Sequence, residues 1–313
     1  MILCITLNPV VDMTLFVDEI KPVYRTDARR VTYIAGGKGN NVARALLRLG
    51  QSARVFLPLG GTSGRHEAEL LEAEGIEKTA AWVSGDTRMA ITIVDRDYQQ
   101  RAFFTPSAPV TLEDLSLIRK RFEEALAGVK AMCLCGSSPA PQADCLFPEF
   151  LHRATQQGIP TLLDTYGNAL RLGLEAVPTI VKINRAEASA LLGRSLDTLE
   201  AQISALNELR HSGARWAVLT LGDQGALFTC EEGSWLAQPP PRKVVNPIGS
   251  GDAMTAGLLA GWITGQPPKD CFRLGMASAV ANTLTWEAGH IDPEEVEALL
   301  SQIQLIPLSV GGN

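Results

Sequence analysis

The sequence predicts an α/β protein with a mostly parallel central sheet and a smaller β-sheet added to it. Short apolar runs alternate with amphipathic stretches along most of the 313 residues. This alternation is typical of βαβ units whose sheet is covered by helices on both faces. Residues 12–20, 30–35 and 80–104 instead are rich in β-forming residues and contain no helical pattern. We expect these three segments to form a lid over the strand ends, where open α/β sheets bind ligands.

The elements follow from this pattern in chain order. The first strand is expected at residues 2–7, an apolar run that Asn8-Pro9 ends. Similar apolar runs predict strands at residues 53–57, 131–135, 160–163, 179–183 and 216–221. Helical periodicity predicts helices at residues 40–49, 66–74, 111–127, 143–156, 168–174, 185–192, 198–211 and 253–263. Residues 90–104 are expected to form a hairpin. The alternation continues throughout, so we expect one domain over residues 1–313.

Composition and charge exclude several function classes. The formal net charge is −6, whereas a general nucleic-acid binder usually carries a basic face. The N-terminus lacks the basic region of a signal peptide, and no apolar stretch approaches the ~18 residues of a membrane span. Six scattered cysteines without a C-x-x-C pair suit buried thiols in a reducing compartment, so the cytoplasm is expected. The four histidines show no metal-ligand spacing.

Residues 246–257 contain the strongest chemical signal. The glycine-rich turn Gly249-Ser250-Gly251-Asp252 leads directly into an apolar helix. Backbone N–H groups at such a turn point outward at the positive end of the helix, where a transferring phosphoryl group can bind. Asp252 is expected at the N-cap or in the first turn. Alone, it could equally be a capping aspartate, which contributes ~1 kcal/mol.

Residues 34–43 contain a second glycine-rich turn that opens a helix and carries a lysine, Gly36-Gly37-Lys38-Gly39-Asn40-Asn41. It is not a Walker A loop, because Gly39 stands where Ser or Thr belongs. It is not a dinucleotide fingerprint either, since that motif directly follows the first strand. Alone, it could be a tight turn with a solvated lysine.

Together the two turns resemble the ribokinase-like family of sugar kinases, which has G-G-K-G-x-N near its N-terminus and G-A-G-D near its C-terminus. The order and the strand-turn-helix contexts match over nearly the whole chain, with Ser250 in place of Ala. The resemblance implies a three-layer sandwich with a small β-sheet lid. It also implies ATP as phosphate donor, Mg²⁺, a monovalent cation and Asp252 as the catalytic base beside Gly249, Ser250 and Gly251.

Shorter matches are similar to the phosphofructokinase B branch, which includes 1-phosphofructokinase and phosphorylates sugar phosphates. Residues 6–12 are similar to T-L-N-P-x-x-D, and Thr87-Arg88 to the start of T-R-x-N. The resemblance implies that Asp12 holds sugar hydroxyls and that Arg88 meets a phosphate on the substrate. Read alone, Arg88 is a surface arginine. The implied acceptor site consists of Asp12, Gly36, Gly37, Lys38, Asn41, Arg88 and Ser137.

Two further matches concern the nucleotide. Residues 182–187 resemble K-P-N-x-x-E and residues 220–226 resemble S-L-G-x-x-G-A. The resemblance implies that Asn184 and Glu187 place Mg²⁺ through water, although alone they could be a helix cap and a solvated side chain. The implied ATP site consists of Lys182, Asn184, Thr220, Leu221, Gly222, Gly225, Gly251 and Asn282.

Three departures from the family pattern surround the expected acceptor site. Ala90 stands where the branch has Asn, Pro141 where it has Gly, and Tyr166 where it has Ser. These exchanges put the identity of the sugar in doubt more than the chemistry.

The sequence therefore predicts ATP-dependent phosphoryl transfer to a hydroxyl of a sugar phosphate. Two alternatives stay open: a kinase for an unphosphorylated sugar or nucleoside, and a catalytically weak ligand-binding regulator on the same fold. Because exposed sheet edges often pair with another chain, a homodimer through the lid is also expected. No nucleic-acid or membrane partner is expected.

Overall fold

The computed structural model describes residues 1–20 and 25–308, which form two β-sheets and two layers of helices. The strands are β1 (Ile2–Thr6), β2 (Val10–Phe16), β3 (Arg30–Gly36), β4 (Ala53–Leu59), β5 (Glu77–Trp82), β6 (Arg88–Val94), β7 (Gln100–Phe104), β8 (Ala131–Cys135), β9 (Thr161–Asp164), β10 (Ile180–Asn184), β11 (Trp216–Thr220), β12 (Ala226–Cys230), β13 (Gly233–Gln238) and β14 (Gln304–Pro307). The helices are α1 (Lys38–Arg48), α2 (Gly61–Ala73), α3 (Leu112–Ala125), α4 (Leu146–Gln156), α5 (Gly167–Glu175), α6 (Arg185–Leu192), α7 (Leu199–His211), α8 (Ser250–Ile263), α9 (Pro268–Asn282) and α10 (Pro293–Leu300).

The large sheet has ten strands in the order β14-β13-β12-β11-β10-β9-β8-β1-β4-β5. From β5 to β11 all neighbours are parallel, and β12, β13 and β14 add an antiparallel edge. The chain passes from β1 to β4 on one side and later returns to β8 on the other. The carboxyl ends of β1 and β8 therefore lie at a topological switch point, where α/β sheets open a crevice for ligands.

Helices cover both faces of this sheet, as the alternation of the sequence predicts. Alternate residues of β1 point to opposite faces, so Cys4 packs with α1, α2, α8, α9 and α10. Leu3 and Ile5 pack with α3, α4, α5, α6 and α7 on the other face. All five residues of β1 are buried, which explains why this strand is a continuous apolar run. The prediction of a three-layer α/β fold is confirmed.

The small sheet has four strands in the order β3-β2-β6-β7. β6 and β7 form the predicted hairpin, with Ala90 opposite Phe104. Asp12 on β2 lies opposite Ala90, so Asp12, Ala90 and Phe104 share one face of this sheet. That face lies above the carboxyl ends of the large sheet, because Arg88 and Phe104 line the same cavity as Thr6 and Cys135.

Some element boundaries differ from the sequence prediction. The predicted lid segment 80–104 starts too early, because Glu77–Trp82 pairs with β4 as the edge strand of the large sheet. Helix α2 starts at Gly61, five residues before the predicted start. A Cβ on Gly60 would lie 1.9 Å from the carbonyl oxygen of Gly85, so a tertiary contact requires glycine there. The sequence pattern did not predict strands β12, β13 and β14 or helices α9 and α10.

In the described part of the chain, none of the helices combines the length and the apolar character that crossing a bilayer requires.

Candidate active site

A cavity of about 500 Å³ lies between the two sheets at the switch point. The parallel strands deliver polar or small residues to its floor, since each ends there: Thr6, Cys135, Asp164, Asn184 and Thr220. Arg88 and Phe104 of the small sheet line the opposite wall. A larger cavity of about 870 Å³ lies on the other side of the molecule beside α10 and contains none of the predicted site residues.

The glycine-rich turn at residues 249–252 lies in the cavity, at the start of α8. Gly249 is the N-cap with φ 86°, a left-handed conformation that favours glycine. The first N–H groups of a helix have no acceptor within it. The N–H of Ser250 donates to the carbonyl oxygen of Pro247 at 3.3 Å, so the amides of Gly251 and Asp252 are the ones available to an anion. Gly257 allows α8 to pack closely, because a Cβ there would lie 2.7 Å from Cα of Gly275 on α9.

Asp252 lies in the first turn of α8 and not at the N-cap, which decides between the two predicted positions. The side chain is buried and accepts a hydrogen bond of 2.8 Å from Nδ2 of Asn41. Burial raises the pKa of Asp252 to about 6, and the positive charge of Lys38 opposes part of that rise. Asp252 is therefore ionised at neutral pH yet has a pKa high enough to accept a proton during turnover.

Two lysines and one aspartate form a buried ion network beside Asp252. Asp164 has no exposed surface, and its two oxygens lie 2.9 Å from Nζ of Lys38 and 2.6 Å from Nζ of Lys182. Burial raises the pKa of Asp164, but the two ammonium groups outweigh it and hold the pKa at about 2. Because Lys182 is nearly inaccessible, its charge is stable only with this carboxylate as partner.

Asp12 lies close to the glycine-rich turn at residues 36–41. Its Oδ2 occupies the space that a Cβ on Gly36 would need, at 2.0 Å, so glycine is required at residue 36. Burial raises the pKa of Asp12 to about 6, while Arg88 and Arg44 lower it. The carboxylate is therefore ionised at neutral pH and can accept hydrogen bonds from ligand hydroxyls.

Arg88 and Ser137 are connected through Asn8. The guanidinium of Arg88 donates to the carbonyl oxygen of Asn8 at 3.1 Å, and Nδ2 of Asn8 donates to Oγ of Ser137 at 3.0 Å. Nε of Arg88 is buried and has no partner in the protein. Arg88 itself lines the cavity, so its positive charge is available to an anionic ligand there.

Asn184 and Glu187 form a capping box at the start of α6. Each side chain accepts a hydrogen bond from the backbone N–H of the other residue, at 2.9 Å and 2.8 Å. The second oxygen of Glu187 lies 3.7 Å from Nζ of Lys38 and faces the cavity. Among the described residues no group of three or more His, Cys, Asp or Glu could hold a metal directly. This donor set suits Mg²⁺ that keeps its waters and arrives with phosphate.

The cavity brings together most of the predicted residues. Those that line it are Gly37, Lys38, Asn41, Arg88, Ser137, Lys182, Asn184, Glu187, Thr220, Gly249, Gly251 and Asp252. Those outside its lining are Asp12, Gly36, Ser250, Leu221, Gly222, Gly225 and Asn282. Of the second group, Gly36 and Ser250 are chain neighbours of lining residues, and residues 221–225 form the turn between β11 and β12.

Asn282 requires a correction. Its side chain is 1% exposed, so it has no surface for direct contact with a nucleotide. Its Nδ2 donates to the carbonyl oxygen of Ile248 at 2.8 Å, and its Oδ1 accepts from the N–H of Gly289 at 2.7 Å. The residue therefore supports the turn at Gly249 from behind.

Sequence reasoning missed several residues of the cavity. The sequence indicates Asn8 only as the end of a strand and as part of the motif match at residues 6–12. It indicates Tyr166 only as a departure from a motif and gives no role to Asp164. Of the three departures, Tyr166 alone lines the cavity, whereas Ala90 is buried and Pro141 lies at the surface. The remaining unpredicted lining residues are Thr6, Phe104, Cys135, Gly136 and Ile248.

Comparison with known proteins agrees with this arrangement. The chain resembles a crystal structure of phosphofructokinase-2 from Escherichia coli in complex with potassium, with a TM-score of 0.89, 26% identity and coverage of 96% of this chain and 98% of that chain. The same protein in complex with fructose-6-phosphate gives a TM-score of 0.85 and 27% identity, with the same coverage of 96% and 98%. A possible 1-phosphofructokinase from Thermotoga maritima gives a TM-score of 0.84 at 22% identity, covering 98% of this chain and 99% of that chain, and supports the fold.

The fold and these relatives define the class of the protein, which is a sugar kinase. The family model for the pfkB family carbohydrate kinases matches residues 2–294. The chain belongs to this family.

Proposed function

We propose that this kinase transfers the terminal phosphoryl group of ATP to a hydroxyl of a sugar phosphate, with Asp252 as the base. One observation carries the proposal: Asp252 and the free amides of α8 share a cavity with Arg88, whose buried Nε has no partner. The cavity thus has a place for a transferring phosphoryl group and a separate cation for a second phosphate. E. coli phosphofructokinase-2, a relative, has been crystallised with fructose-6-phosphate.

The donor side uses the start of α8 and the ion network. ATP, bound with Mg²⁺, supplies the electrophilic phosphoryl group. The amides of Gly251 and Asp252 stabilise the negative charge that develops on the transferred group. Lys38 and Lys182, both held by Asp164, add positive charge on the same side. Asn184 and Glu187 would hold Mg²⁺ through its waters, and the remaining predicted residues, Thr220, Leu221, Gly222 and Gly225, lie along the path of the nucleotide.

The acceptor side uses the glycine-rich turn at residues 36–41 and the small sheet. Asp12 accepts hydrogen bonds from sugar hydroxyls, and Asp252 accepts the proton of the attacking hydroxyl. Arg88 binds the phosphate already on the substrate, with Ser137 beside it through Asn8. Phosphoryl transfer demands mainly position and charge from the protein, and this cavity offers both.

We also propose a homodimer through the small sheet. Met13, Tyr33, Ile91 and Phe103 are cross-strand partners, so they lie in one row on the face turned away from the cavity. Phe103 is 59% exposed and Tyr33 is 44% exposed, which leaves an apolar patch suited to a second copy. A tetrameric inhibited form is known for E. coli phosphofructokinase-2.

The proposal also includes the cellular compartment and a monovalent cation. The six free cysteines suit a reducing compartment, so we place the protein in the cytoplasm. Because the E. coli relative was crystallised with potassium, a monovalent cation is included, with no residue of this chain assigned to it.

An ADP-release assay across hexose phosphates, free sugars and nucleosides tests the proposal. Turnover is expected with at least one hexose phosphate and is expected to fall by ~10²–10⁴-fold in Asp252→Asn. Turnover of a free sugar or nucleoside alone would move the assignment to an enzyme without a substrate phosphate. Binding without ADP release for the whole panel would indicate a regulator.

Arg88→Ala should raise the KM for the sugar phosphate by at least about tenfold, because a charge-assisted contact is worth roughly 1.5–3 kcal/mol. The KM for ATP is expected to stay near that of the parent. Steady-state kinetics with each substrate varied in turn measure both constants.

Arg101→Ala is the matched control, since Arg101 is an exposed arginine on the neighbouring strand and pairs with Ile93 on the opposite face of the small sheet. It should leave both KM values unchanged. An Arg88→Ala enzyme with the parent's KM for sugar phosphate would assign the phosphate to other residues.

A further inference from the structure

Arg44 is a buried arginine that lies outside the cavity but one contact away from its base. It is 3% exposed and belongs to α1, two turns after Gly37. Its guanidinium forms a bidentate ion pair with Glu74 at the C-terminus of α2. It also donates to the carbonyl oxygens of Ala35 and Ala288, each at 2.9 Å. Arg44 therefore joins β3 of the small sheet to the loop that follows α9.

The remaining hydrogen bond of Arg44 determines the orientation of Asn41. Nη1 of Arg44 donates to Oδ1 of Asn41 at 3.0 Å, and Nδ2 of Asn41 donates to Oδ2 of Asp252 at 2.8 Å. A guanidinium can only donate and a carboxylate can only accept. If the amide of Asn41 were rotated by half a turn, both contacts would become repulsive. The two charged neighbours thus fix the amide from both ends.

The orientation of this amide affects the proton affinity of Asp252. The hydrogen bond from Asn41 favours the ionised carboxylate and lowers the pKa of Asp252. The other charged groups that face Asp252 are Lys38 on α1 and Lys182 on β10, which lower its pKa, and Asp164 on β9, which raises it. The bond occupies one acceptor position of Oδ2, so the carboxylate keeps others for the proton of the attacking hydroxyl.

We propose that Arg44, held by Glu74, is a positioning residue for Asp252 and acts through Asn41. The inference rests on the proposed role of Asp252 as the base. Arg44 and Glu74 thus influence catalysis although neither residue lines the cavity. Arg44 also ties β3 of the small sheet, through the carbonyl of Ala35, to the geometry of the base.

A double-mutant cycle tests this inference, with Asn41→Leu, Arg44→Met and the double variant. The readout is kcat as a function of pH, whose acid limb reports the base in the enzyme–substrate complex. Each single variant should move the acid limb to higher pH, by about one unit for Asn41→Leu and less for Arg44→Met, because the ionised form loses a charge-assisted donor. The double variant should move it no further than Asn41→Leu alone, since one residue acts through the other.

Thermal unfolding of the same variants separates positioning from general damage. Arg54→Met is the control: Arg54 also pairs with a glutamate, Glu77, and donates to the carbonyl oxygens of Ala125 and Ala127. It should lower the Tm without moving the acid limb. If Arg44→Met fails to fold, Glu74→Gln, which only weakens the hold on Arg44, should shift the acid limb in the same direction.

The outcomes distinguish this inference from the proposed function. A parent enzyme without turnover on any acceptor would overturn both. A parent whose activity depends on Asp252, with an acid limb that does not move in Arg44→Met or Glu74→Gln, would overturn the positioning role alone. Additive shifts of the acid limb in the double variant would do the same, because independent effects add.

Discussion

Asp252→Asn is expected to lower kcat by ~10²–10⁴-fold, the usual contribution of a general base. The variant keeps the size of the side chain and an oxygen that can accept from Nδ2 of Asn41, but it cannot accept the proton of the attacking hydroxyl. In the parent, kcat/KM for the sugar phosphate should fall as the pH drops below about 6, because burial raises the pKa of Asp252 in the free protein to about 6 and the base must be ionised. Single-turnover kinetics with saturating substrates measure the effect of Asp252→Asn.

The stability of the Asp252→Asn variant is the control which shows that a loss of activity is not caused by unfolding. A carboxyl group whose pKa is raised in the folded state stabilises the protein below its unfolded pKa of ~3.9 and loses this contribution as the pH rises through about 6. At neutral pH the buried charge is therefore a cost that asparagine removes. The Tm of the variant should equal or exceed that of the parent, and nucleotide binding should persist. Near-normal turnover in this folded variant would contradict the role of Asp252.

Asp164→Asn is expected to lower the free energy of unfolding by roughly 3–5 kcal/mol, the usual effect of removing one partner from a buried ion pair. The variant leaves Nζ of Lys182 in a nearly inaccessible position without its counter-charge, and it frees Lys38. Urea denaturation at neutral pH measures the loss. Turnover should fall as well, because both lysines lose the group that positions them.

The contribution of Asp164 to stability is also tested by its pH dependence and by a double variant. The pKa of Asp164 is lowered to about 2, so its contribution is present above the unfolded pKa of ~3.9 and fades as the pH falls toward 2. The gap between the parent and Asp164→Asn should therefore close in acid. Combining Asp164→Leu with Lys182→Met should recover most of the lost stability without recovering activity. An unchanged unfolding midpoint in Asp164→Asn would mean that the two lysines do not depend on this carboxylate.

Lys38 and Asp252, two of the predicted residues that line the cavity, lie in the first turns of helices. Lys38 directly follows Gly37, and Asp252 lies three residues after Gly249. Both glycines have a positive φ, and such a turn is visible in the sequence as a glycine cluster before an apolar periodic run. The helix start then determines where the side chain lies, independently of distant contacts. Local patterns are sufficient for this class of residue.

The residues that were missed acquire their roles from contacts distant in the chain. Asp164 ends a buried strand, and the sequence alone does not distinguish it from any other carboxylate at the end of a strand. Only the fold brings it next to Lys38, 126 positions away. Asn8 connects to Ser137 across 129 positions. A single sequence does not reveal such pairs, because neither spacing nor periodicity encodes them.

The fold was predicted better where both faces of a strand are buried than at the edges of the sheet. Strands β1, β4, β8, β9, β10 and β11 are mostly apolar runs that the pattern predicts, whereas β12 is buried throughout and was still missed. Strands β13 and β14 carry exposed and partly exposed residues, so their pattern resembles a loop. The close approach of residues 60 and 85 requires glycine just before α2 and is a tertiary contact that no local rule predicts.

The positive and negative charges of the side chains that line the cavity nearly cancel one another before any ligand binds. At neutral pH three cations face three carboxylates there: Lys38, Arg88 and Lys182 against Asp164, Glu187 and Asp252. The chain as a whole carries a formal charge of −6. Long-range attraction therefore contributes little to the diffusional encounter with phosphorylated ligands, and added salt should slow their capture little or even accelerate it. Selection among such ligands takes place after the encounter, once they are desolvated inside the cavity.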